Sequence, residues 1–152
     1  MNLLNQTLNN QSMLIRNLYK DVLIDPANSG SNELFAISGY ASATFANRHL
    51  SELSNLKLNL IIGMPGRRSD HLGYMNLISR FGGRFNGYYL QGSPPVHCKA
   101  YAWYNGNNAN QGFSGSANYS QPGFFSKYQL NQMTTENPVH IKDLFDDLLI
   151  RS

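Results

Sequence analysis

The stretch Val96-His97-Cys98-Lys99-Ala100-Tyr101-Ala102-Trp103-Tyr104 decides how this chain is read. As a β-strand it alternates faces, sending His97, Lys99, Tyr101 and Trp103 one way and Val96, Cys98, Ala100 and Ala102 the other. The second set is a small apolar face suited to a core. The first places an imidazole two residues from an ammonium group, with aromatics behind them. A packed sheet gains nothing from a cation beside an imidazole, so the pair points to an anionic ligand.

Working outward, the first half alternates helices and strands. The apolar residues of Leu3–Leu23 have near-helical spacing and predict one or two helices, ended by the turn formers Asp25-Pro26-Ala27-Asn28-Ser29-Gly30-Ser31. Glu33–Ile37 reads as a buried strand stopped by Ser38-Gly39, and Tyr40–Leu53 as a helix. Lys57–Ile62 is a second strand broken by Gly63-Met64-Pro65-Gly66, and Ser69–Phe81 a second helix, with Asp70 near its start to complement the helix dipole. Such alternation favours parallel strands with ligands at their C-terminal ends.

The second half offers strands at Phe85–Leu90, Val96–Tyr104, Gln111–Gly115 and Gln129–Thr135, with a hairpin turn at Asn105-Gly106-Asn107-Asn108. Pro138–Leu149 closes it as an amphipathic helix, Ile141, Leu144, Phe145, Leu148 and Leu149 lying at helical spacing. The expected fold is α/β, a mixed, largely parallel β-sheet flanked by helices on both faces. Without repeat or linker, residues 1–152 read as a single domain.

A chain of 152 residues with 41% hydrophobic content can bury one real core. Its formal charge of +3 and pI of about 9.1 permit a nucleic-acid or other phosphate partner without demanding one. Cys98 is the single cysteine, which excludes an internal disulfide and a cysteine-only metal site. No apolar run approaches the roughly 18 residues a membrane span needs, and the N-terminus lacks a signal-peptide pattern, so a soluble cytoplasmic protein is expected.

His49, His71 and His140 read as packing or solvated residues. With no His-x-x-x-His, His-Glu pair or cysteine cluster, neither metal nor cofactor is expected. A Gly-x-Ser-x-Gly elbow is also missing, which counts against a serine hydrolase. Gly63-Met64-Pro65-Gly66-Arg67-Arg68, between a strand and a helix, suits phosphate contact but lacks the lysine and spacing of a P-loop. Arg67 and Arg68 form either a basic rim or two solvated arginines on a turn.

His97-x-Lys99 is followed downstream by Gly115-Ser116-x-Asn118, and then by Thr135-Glu136-Asn137 after a strand. In that order the three elements resemble the phospholipase D superfamily, the last of them its bacterial nuclease branch. Ile37-Ser38-Gly39-Tyr40-Ala41-Ser42, Leu60-Ile61-Ile62-Gly63-Met64, Pro95-Val96-His97-Cys98-Lys99 and Phe113-Ser114-Gly115-Ser116-Ala117-Asn118-Tyr119-Ser120 look like the N-terminal catalytic domain of NgoFVII-type (BfiI-related) restriction endonucleases. One position departs: Tyr104 stands where the superfamily usually carries an aspartate, a loss common in the restriction-nuclease branch.

The resemblance implies metal-independent hydrolysis of a phosphodiester in double-stranded DNA. His97 would attack phosphorus and form a covalent phosphohistidine, Lys99 and Asn118 would hold the non-bridging oxygens, Ser116 would add a hydrogen bond, and Glu136 would orient the His97 ring. Arg67, Arg68 and Tyr40 are the candidates for contact with the DNA backbone. One motif copy per chain implies a homodimer with the active site on its two-fold axis, the second histidine serving as general acid. Relatives carry a base-reading domain after the catalytic one, so the chain is expected to be an N-terminal fragment without it. A non-specific nuclease of the same superfamily and a degenerate nucleic-acid-binding or dimerisation module are the competing readings.

Overall fold

Two runs, Glu33–Ser38 and Lys57–Ile62, are buried along nearly their whole length, as strands covered on both faces must be. In the computed structural model, which describes residues 13–14, 17–64, 66–91, 95–126 and 130–152, they lie inside a seven-stranded sheet. Its strands are β1 (Met13–Leu14), β2 (Glu33–Ser38), β3 (Lys57–Ile62), β4 (Phe85–Tyr89), β5 (Ala100–Asn105), β6 (Asn108–Gly115) and β7 (Met133–Thr135). They are ordered β1-β7-β6-β5-β2-β3-β4. A π-helical turn, Tyr19–Ile24, leads into the short helix α1 (Asp25–Asn28). The other helices are α2 (Ala43–Glu52), α3 (Arg68–Phe81), α4 (Gln121–Phe125) and α5 (Pro138–Leu149).

Helix starts follow local chemistry. Ser42 accepts a hydrogen bond from the Phe45 N–H at 3.2 Å, Ser120 from that of Gly123 at 3.2 Å, and Asn137 from that of Val139 at 2.9 Å. Each cap contributes about 1 kcal/mol. The sheet then separates two apolar layers. On one side α2, α3, the π-turn and Phe124 cover Leu34, Leu58, Leu60, Tyr101 and Trp103. On the other, α5 covers Ile37, Ile61, Ala100, Ala102 and Tyr104. The alternation expected of β5 is therefore present, although both of its faces are buried.

The α/β sandwich with a mixed sheet is as expected, but its parallel share is smaller. Only β2–β3 and β3–β4 are parallel. The four ladders β2–β5, β5–β6, β6–β7 and β1–β7 are antiparallel, and the tight hairpin from β5 to β6 is what reverses the chain between the central pair of them. Ordered pairing in β5 begins at Ala100, so Val96–Lys99 are an extended lead-in. The turn is tighter than expected, with Gly106 at φ +59°, and β6 accordingly starts at Asn108. Met13–Leu14 pair with β7 instead of being helical. Residues 3–12 and 15–16 of the predicted N-terminal helices and residue 129 of the last predicted strand lie outside the described residues.

His49 takes a packing role, fully buried beneath α2. Its Nε2–H donates to the Leu23 carbonyl at 2.7 Å and its Nδ1 accepts from the Tyr119 hydroxyl at 2.7 Å. Trp103 Nε1–H donates to the neighbouring Val22 carbonyl at 2.7 Å, so the core itself holds the π-turn. Burial pushes the His49 imidazole down to about 4, against 6.5 when solvated. The unfolded chain then binds the extra proton first, and stability is lost as pH falls from about 6.5 towards 4, by at most about 1.4 kcal/mol per pH unit. Comparing the pH dependence of Tm for the wild type and His49→Gln should show a shallower acid slope in the variant.

Candidate active site

At the end of the sheet where β2 and β3 finish, two glycines carry the chain that brings in His97. The Gly63 N–H donates to the Ser38 carbonyl at 2.8 Å and the Met64 N–H to the Gly39 carbonyl at 2.8 Å, extending the parallel register past both strands. Val96 N–H then donates to the Gly63 carbonyl at 3.4 Å. A Cβ on Gly63 would overlap the Val96 carbonyl oxygen, and one on Gly39 would sit 3.4 Å from His97 Cα and 3.6 Å from Asn118 Oδ1. Gly39 and Gly63, which end two strands, are also the seats of the Val96–His97 main chain. Their sequence signal was a glycine directly after each of two buried strands.

His97 is exposed, and among the described residues its ring has no hydrogen-bonding partner. Lys99 is half-buried, and its carbonyl accepts from Gly115 N–H at 3.1 Å, tying the lead-in to β6. A Cβ on Gly115 would in turn overlap the Gln132 carbonyl. Ser116 is committed to the same neighbour: its Oγ accepts from Gln132 N–H at 2.9 Å. The glycine and serine of this motif thus join β6 to the segment entering β7.

Asn118 lies beside Gly39. Its Oδ1 accepts from Tyr40 N–H and from Ser38 Oγ, both at 3.2 Å. A backbone N–H needs an oxygen, so the amide orientation follows, and among the described residues Nδ2 has no hydrogen-bonding partner. The backbone here is gripped on both sides, because Ser42 N–H donates to the Tyr119 carbonyl at 3.0 Å and Gly123 leaves no room for a Cβ against the Asn118 carbonyl.

The resemblance implied a contact between Glu136 and His97. One oxygen of the carboxylate, Oε2, accepts from Ser114 Oγ at 3.0 Å. Nearby, the thiol of half-buried Cys98 is pushed up by burial, with Lys99 opposing and Glu136 adding to the rise. Tyr104 is five residues beyond Lys99, roughly 16 Å along an extended chain. Its ring packs edge-on to Phe35 at 5.5 Å beneath α5. The position of the usual aspartate is therefore a core position in this fold, outside the site.

Arg67 and Arg68 are exposed where α3 begins, just past the end of β3, and Tyr40 is exposed beside Asn118. Asp70 accepts from Arg67 N–H at 3.0 Å, which satisfies the start of the helix. His71 and His140 are exposed near helix starts, as expected. No three His, Cys, Asp or Glu side chains among the described residues are grouped to hold a metal ion, and no described helix is long and apolar enough to cross a membrane.

The model of the NgoFVII restriction endonuclease N-terminal PLD domain matches residues 16–150. The chain belongs to this family. This NgoFVII-type domain is therefore an endonuclease domain of the phospholipase D class, hydrolysing phosphodiester bonds. No curated protein matches it. Its fold is similar to that of NucT from Helicobacter pylori (TM-score 0.63, 13% identity, covering 93% of this chain and 96% of that one). It is equally similar to Nuc, a phospholipase D family member from Salmonella typhimurium (TM-score 0.64, 15% identity, 93% of each chain). Polyphosphate kinase from Porphyromonas gingivalis shares the fold over 99% of this chain but 29% of its own (TM-score 0.62, 12% identity), so architecture alone does not set the reaction.

The glycine seats give a direct test of the NgoFVII-type site. Gly63→Ala must displace the Val96 main chain and should slow phosphodiester cleavage about 100-fold, as ångström-scale misplacement of a reacting group does. Gly83→Ala, where a Cβ meets nothing within 4 Å, should cleave at the wild-type rate in the same assay.

Proposed function

We propose that this domain cleaves double-stranded DNA as a homodimer, without a metal ion, through a phosphohistidine formed on His97. The observation that carries this reading is that the main chain of exposed His97 and the side-chain oxygen of Asn118 both lie against Gly39 at one end of the sheet, with Lys99 two residues from His97. Phosphodiester cleavage needs an in-line nucleophile, charge stabilisation on the equatorial oxygens and a proton for the leaving oxygen. His97 supplies the first. Lys99 and the Asn118 Nδ2 hydrogens supply the second.

In the first step a His97 ring nitrogen bonds to phosphorus as the P–O bond to the leaving sugar oxygen breaks, and the partner's His97 gives that oxygen a proton. In the second, water attacks the phosphohistidine, the partner's His97 takes the proton from water, and the P–N bond breaks to free His97. Paired lysines and asparagines from the two protomers bear the charge that a divalent ion bears elsewhere. Glu136, held by Ser114 through Oε2, keeps Oε1 for the imidazole and fixes its tautomer. Ser116 supports the site by fixing the end of β6. Arg67, Arg68 and Tyr40 contact the DNA backbone, and the choice of target sequence comes from a module other than this catalytic one.

Plasmid DNA incubated with the protein in excess EDTA tests the reading. Cleavage should proceed, and His97→Ala should lower its rate by about 10⁴-fold with Tm unchanged, as loss of a nucleophile does. Discrete fragments would indicate a restriction enzyme and a smear a non-specific nuclease. Intact plasmid in EDTA with cleavage restored by Mg²⁺ would overturn the mechanism.

A further inference from the structure

Ser38, the last residue of β2, is a fully buried polar side chain at the edge of the site with no role in the chemistry above. Its Oγ accepts from Tyr119 N–H at 2.9 Å, and its single hydrogen faces the Tyr40 carbonyl and, at 3.2 Å, Asn118 Oδ1. One hydroxyl thus joins the end of a central strand to both sides of the Asn118 backbone. Beneath it, Tyr119 is anchored by its hydroxyl on buried His49, so the connection runs from core to site.

An amide whose oxygen receives the Tyr40 N–H and a share of the Ser38 hydrogen is held with its nitrogen turned away from both. Reversing it would set the Asn118 NH₂ against the Tyr40 N–H and leave two donors facing each other. We propose that Ser38 is a positioning residue which, with the Tyr40 main chain, locks the Asn118 amide so that its N–H groups face the non-bridging oxygen of the scissile phosphate. Ser38 does not touch the substrate. The inference rests on the reading of Asn118 as a phosphate-oxygen donor, and it predicts an effect on the rate of the bound complex more than on binding.

A double-mutant cycle on the full chain separates the two claims, with single-turnover rates measured on plasmid DNA at saturating protein and Tm recorded for each variant. Asn118→Ala should slow cleavage at least 10-fold, whereas an undiminished rate would overturn the role of Asn118 and the inference with it. Ser38→Ala should slow cleavage at least 10-fold with KM changed less than 3-fold. In the Asn118→Ala background the same substitution should slow it less than 2-fold. Equal losses in both backgrounds, or no loss in the first, would overturn the role of Ser38 while leaving that of Asn118 intact. A measurement on the unmutated protein does not depend on Ser38→Ala folding. The ¹⁵N order parameter of the Asn118 side-chain amide should approach that of rigid backbone, about 0.85, and a value below about 0.6 would overturn the proposal.

Discussion

Contact between main chain and main chain, where the segment carrying His97 lies against the ends of β2 and β3, is the constraint on which this site depends. At Gly63 the Val96 carbonyl occupies the space a Cβ would need, and at Gly39 the Cα of His97 itself is in contact range. Because the parallel register of β2 and β3 continues through Gly39 and Gly63, the seat is part of the sheet and inherits its rigidity. A side chain placed by packed backbone, as the proposed nucleophile His97 is, needs little support from contacts of its own. That suits an imidazole that must stay accessible to a substrate.

The motif residues divide into those that face a ligand and those that build the frame. His97 is exposed. Gly115 and Ser116 spend their close packing and hydrogen bonding on Gln132, joining β6 to β7. Asn118 sits between the two groups, its oxygen tied to Ser38 and Tyr40 and its nitrogen without a partner among the described residues. Tyr104 belongs to neither, since its place in the layer under α5 makes the exchange of aspartate for tyrosine a matter of core packing. The same separation of roles fits the fold's recurrence in polyphosphate kinase, where a common frame stands beneath a different activity.

Much of the frame was legible because its signals are local. The bounds of β3 and α5 follow from an apolar run closed by glycine and from Asn137-Pro138 ahead of helical spacing. The Asn-Gly pair marked the hairpin for the same reason. Less visible were features set by neighbours distant in sequence. Helix α4 is only five residues long and shows itself mainly by Ser120 and Pro122 at its start. The strand character of Met13–Leu14 comes from pairing with β7, against the helical spacing around it. In the site, His97, Lys99 and Asn118 could be found as a pattern. The inward hydrogen bonds of Ser38 and the attachment of Glu136 to Ser114 required the register of the sheet.

Covalent catalysis by His97 is the centre of the functional account, and phosphorus records it directly. Cleavage through a phosphohistidine takes two in-line displacements, so a chiral phosphorothioate at the scissile position, opened in isotopically labelled water in the presence of EDTA, should show retention of configuration. Inversion would mean that water attacks the phosphodiester in a single step, and would contradict the account.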